Sequence, residues 1–137
     1  MIRSARRTAG VLVVVALVGA TAGVALHAQQ PPAVKRNILM RRDMALPDRE
    51  GVMALVELPP GAAEGRHTHP AEVFAFVKEG EVVVENEGMP TTTLKAGDTF
   101  YIAPGKIHQA TNKGSSTARL VAVFVAEKGK PLTTQAP

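Results

Sequence analysis

The chain has 137 residues, 45% of them apolar and 4% aromatic, with no cysteine and no tryptophan. The missing cysteine excludes disulfides, thioether haem attachment and thiolate metal ligands. The formal charge is +4, but Arg3, Arg6 and Arg7 supply three of those units. Without them the charge falls to +1, and nothing electrostatic recommends nucleic acid as a partner.

The chain opens on MIRSARR, continues with an apolar stretch from Ala9 to Leu26, and leaves it through His27-Ala28-Gln29-Gln30. A basic start, an apolar centre and a small-residue exit predict a secretory signal helix over residues 1–28, hence a secreted or periplasmic protein. An apolar run of about 18 residues also reaches the lower limit for a membrane span, so an uncleaved anchor is the alternative. Residues 29–36 are polar and proline-bearing and are expected to be a linker. Residues 37–127 suit one domain, and the polar tail, 128–137, is expected to fray or lie along the surface.

Within 37–127 short runs rich in Val, Phe, Thr and Ile alternate with Gly, Pro, Asn and Asp clusters, the texture of an all-β sandwich or barrel. Strands are predicted at Asn37–Arg41, Val52–Leu58, Val73–Lys78, Glu81–Glu85, Thr91–Leu94, Thr99–Ile102, His108–Thr111 and Ala118–Ala126. In Val82–Val84 and Ala118–Ala126 nearly every position is apolar, which predicts burial on both faces.

Beyond His27 the chain has three histidines. His67 and His69 are two apart, so on a strand both rings project to one face. His108 opens another predicted strand after a Pro-Gly turn and could complete a shared site from across a barrel. Three neutral imidazoles leave coordination positions open for water or substrate, as in catalytic rather than closed sites. Alone, a His-x-His triplet is more often a pair of surface polar residues.

The surroundings of these histidines resemble the small single-domain cupins. The first cupin motif is a glycine, five residues, His-x-His, three or four residues, a glutamate, six residues and a closing glycine. Gly61, His67, His69 and Gly80 match it in GAAEGRHTHPAEVFAFVKEG. The second motif is matched by Gly97, Gly105, His108 and Asn112 in GDTFYIAPGKIHQATN, with the proline displaced by one place to Pro104. The resemblance implies a double-stranded β-helix, or jelly-roll barrel, holding a divalent metal ion (Fe, Mn, Zn, Ni or Cu) on His67, His69 and His108. The family's glutamate ligand would fall on Val73, whereas Glu72 stands one place earlier. On a regular strand that step turns a side chain to the opposite face, while a bulge near Pro70-Ala71 would bring Glu72 back as a fourth ligand.

If parity runs from His69, then Val73, Ala75 and Val77 face the interior and Phe74 and Phe76 face out. An apolar outer face favours a homodimer. Asn112 is expected to bond turn backbone rather than substrate. Three functions suit this reading. One is a metal-dependent enzyme acting on a small organic substrate by oxygenation or isomerisation. Another is a non-catalytic module of the periplasm that binds a small molecule or metal, favoured by the shortage of an acid or base near the motifs, where only Glu72 and Tyr101 are candidates. The third is a metal-free structural cupin.

Overall fold

The computed structural model describes Gln30 and residues 32–137; the expected signal helix lies outside the described residues. Every regular element among these residues is a β-strand: β1 (Lys35–Asp43), β2 (Arg49–Leu58), β3 (His67–Thr68), β4 (Ala71–Glu79), β5 (Glu81–Asn86), β6 (Thr92–Lys95), β7 (Thr99–Ile102), β8 (His108–Thr111), β9 (Ala118–Glu127) and β10 (Thr134–Gln135). They form two five-stranded sheets, ordered β1-β2-β9-β4-β7 and β10-β3-β8-β5-β6, with antiparallel pairing throughout. Each predicted strand is present, and β1, β2 and β4 run longer than their apolar cores suggested.

Strict alternation makes the inner wall of the first sheet. Val52, Ala54, Val56 and Leu58 of β2 are buried, as are Ala71, Val73, Ala75 and Val77 of β4 and the even positions 118–126 of β9. Side chains two apart on a strand share a face, and three neighbouring strands in register turn those faces into one apolar floor. The intervening residues of β9 are only half-buried, as is Val83. Burial on both faces, as predicted for these runs, is therefore complete on one side only, because the second sheet covers just the inner face.

The core side chains are mostly Val and Ala, and they fall into two clusters. One gathers Val56, Leu58, Val77, Val82, Val84, Ala110 and Leu120. The other gathers Val52, Val73, Ile102, Ala122, Phe124 and Ala126. Small residues facing one another across the barrel leave unfilled space between the clusters, and that space holds the site.

Candidate metal centre

His67 and His108 are direct cross-strand partners on β3 and β8, so their side chains leave the sheet on the same face. His69 lies two residues after His67, just beyond β3, and keeps its parity; all three are buried. The ring centroids of His67 and His69 are 4.8 Å apart, those of His67 and His108 4.3 Å, and those of His69 and His108 4.8 Å. One possible ligand atom from each residue lies within 4.8 Å of the others. The second motif also supports the first through the backbone, since the Gly105 amide donates to the His69 carbonyl at 2.9 Å.

The hydrogen bonds fix which nitrogen is free. His67 Nδ1 meets the Gly65 carbonyl at 2.7 Å, His69 Nδ1 meets the Leu132 carbonyl at 2.5 Å, and His108 Nδ1 meets the Lys106 carbonyl at 3.0 Å. A carbonyl only accepts, so Nδ1 carries the proton on each ring and Nε2 keeps its lone pair. Metal-bound imidazoles are oriented by this kind of support from behind. Burial holds the pKa of His69 down to about 4, with further lowering by His108, His67 and Arg36 against a raising bond from Leu132. Burial also lowers that of His108. Above pH 6.5 both rings are neutral, the form that binds a metal. Phe124 stands edge-on to His69 at 5.0 Å and closes one side.

A cavity of about 40 Å³ adjoins His69 and His108, walled by Val56, Val73, Ala75, Val84, Leu120 and other apolar residues from both core clusters. Val84, Phe100 and Ile102 separate it from a wider surface cleft near β6 and β7.

Glu72 does not join the histidines. It is exposed on the outer face of β4, between the buried Ala71 and Val73, and β4 pairs with β9 without irregularity from Ala71 to Val77. No bulge re-aims it, so alternation turns its carboxylate away. Tyr101 is likewise on the outside, against Phe74 at 5.3 Å. The acidic group that does line the cavity is Glu64, joined by Arg36. Neither stood out in the sequence, although Glu64 lies within the first motif. The tail lies along the surface without fraying. β10 pairs with β3, and Leu132 holds His69.

A model of the cupin domain matches residues 54–124, and the chain belongs to that family. It is 29% identical over 82 residues to an oxalate-binding protein of Thermotoga maritima, covering 59% of this chain and 67% of that one. A solved oxalate oxidase in complex with glycolate superposes with a TM-score of 0.57 at 28% identity, covering 62% of this chain. The chain spans only 45% of the length of that oxidase. An uncharacterized protein of Klebsiella pneumoniae with a double-stranded β-helix domain superposes with a TM-score of 0.64 at 23% identity, over 79% of this chain and 83% of that one; this likeness speaks to the fold alone.

Proposed function

We propose that the chain binds one divalent metal ion through Nε2 of His67, His69 and His108, and that a small organic molecule enters the adjoining cavity. The observation that carries this reading is the set of three Nδ1–carbonyl bonds, which leaves three lone pairs within one buried cluster. The residues fit a metal with imidazole preference. A bound ion would supply Lewis acidity toward a ligand oxygen. The chain's own part is to hold three rings in fixed orientation, to exclude bulk water with largely apolar walls, and to place Glu64 within the cavity as a proton acceptor or donor. Glu64 favours an enzyme over a passive binder, since it supplies the acid–base group that the motifs alone lacked.

Metal titration of the purified protein tests the centre. About one ion per chain is expected, with affinity reduced at least a hundredfold in His67→Ala and in His108→Ala, and unchanged in Glu72→Ala. Tight binding that survives both histidine substitutions would refute it.

Two further features belong to this reading. Export through residues 1–28 is supported by their basic and apolar pattern, and N-terminal sequencing of the protein recovered from the periplasm should begin near Gln29. A second copy covering the outer face is supported by Phe74, Phe76 and Tyr101, which are 50%, 43% and 47% exposed. Sedimentation should give a dimer, and Phe74→Glu should give a monomer; a monomeric wild type would refute the pairing.

A further inference from the structure

The tail leaves β9 through a turn in which the Lys130 amide donates to the Glu127 carbonyl at 3.3 Å and Gly129 takes φ +77. It then returns to β3. Thr134 and Gln135 of β10 pair with Thr68 and His67, and the Ala136 amide donates to the Arg66 carbonyl at 2.9 Å. The Leu132 carbonyl accepts from His69 Nδ1 at 2.5 Å, and Thr133 Oγ1 stands 3.4 Å from the same nitrogen. The hold is slight all the same. β10 is the outermost strand of its sheet and meets only the two-residue β3, so its release leaves every other strand pairing in place. Among the described residues Leu132 is the one tail side chain packed against a core cluster. Lys130, Pro131, Thr134, Gln135 and Pro137 are exposed. Segments with few buried apolar contacts and solvent-exposed backbone bonds open locally while the rest of a fold stays closed.

We infer that the tail is a clasp whose docking controls how fast the centre exchanges its metal ion. This rests on the metal-centre reading above and deepens it by naming what governs the site. An ion held by three imidazoles leaves only as the rings let go in turn, and a ring tied at Nδ1 cannot swing its Nε2 away. The ties of His67 and His108 come from Gly65 and Lys106 in the same stretches of chain, and they move with the rings they hold. That of His69 comes from the tail, which lifts as a unit about Gly129. With the tail docked, His69 is held to the ion; with the tail lifted, the ring is loose and the ion departs. Coupling of this kind works in both directions. An ion on Nε2 keeps the proton on Nδ1 and so preserves the bond to Leu132, and the tail sits more firmly on the loaded protein.

The chain has no cysteine, so one engineered pair can lock the tail. Thr68 and Thr134 are directly opposed, and such residues have Cα atoms about 4.5–5.5 Å apart, within the span of a disulfide. Thr68 points away from the face shared by His67 and His69, which keeps the new sulfurs off the ion. Zinc-loaded Thr68→Cys/Thr134→Cys, once oxidised, should release its ion to saturating EDTA about tenfold more slowly than wild type, and reduction should restore the rate to within about twofold. Leu132→Ala, which loosens the tail without altering a ligand, should release zinc about fivefold faster. Read separately by hydrogen exchange, the Ala136 amide should be protected about tenfold more strongly with zinc than without. Release at the wild-type rate from an oxidised variant whose cross-link is verified by mass would overturn the inference, as would Ala136 exchange indifferent to zinc. A wild type that takes up no zinc would sink the centre and the clasp with it, whereas an unslowed locked variant that still binds zinc refutes the clasp alone.

Discussion

Asn112 has no solvent-exposed surface, and its amide is engaged at both ends. Nδ2 donates to the carbonyls of Leu58 and Ser116, and Oδ1 accepts from the Gly114 amide, each at 2.8 Å. The side chain therefore ties the end of β2 to the loop between β8 and β9. Asn112→Ala should cost about 3 kcal/mol, since it strands buried backbone groups and opens a small void. Urea unfolding measures this, and a loss below about 1 kcal/mol would contradict the assigned role. Asn112 is legible in the sequence because it closes the second motif just before the Lys113-Gly114 turn, although its partner Leu58 lies 54 residues away. The outward aim of Glu72 is legible too, given a regular strand. Arg36 and Glu64 are not, because they meet across two sheets and no sequence interval encodes that distance.

At the scale of the element, the turn between β4 and β5 depends on Gly80, which has φ +74. A Cβ there would lie 2.9 Å from the Ala118 Cα and 3.1 Å from the Thr117 carbonyl oxygen, both backbone atoms that cannot swing aside. Gly80→Ala should therefore destabilise by about 2 kcal/mol or more, combining left-handed strain with a steric clash. Differential scanning calorimetry should show a clear fall in Tm, and an unchanged Tm would refute the packing. Strand positions emerge from alternation, and the inward set of β4 agrees to the residue because the His69 parity carries through to Val77. The two-residue strands β3 and β10 are beyond such a reading, being too short to show any period. The tail's polar sequence, too, has no pattern that would announce a partner.

On the scale of the whole barrel, two apolar clusters are separated by a cavity lined with imidazoles, and this arrangement makes the metal-free protein sensitive to acid. His69 has its pKa lowered to about 4, against 6.5 for an exposed ring. Between those values the unfolded chain takes up a proton that the folded chain refuses, so unfolding is favoured as pH falls. His108 is shifted the same way. Stability should be full above pH 6.5 and decline on the way to pH 4, and His69→Gln should flatten the slope. Equal urea midpoints at pH 7 and pH 5 would refute this.

His67 and His108 each find a carbonyl acceptor two residues away, whereas His69 depends on one 63 residues further along the chain. Without the segment around Leu132, two rings would keep their partners and the third would be free to offer either nitrogen. The orientation of that third ring therefore waits on a distant pairing, whereas the other two are set by their own neighbourhoods.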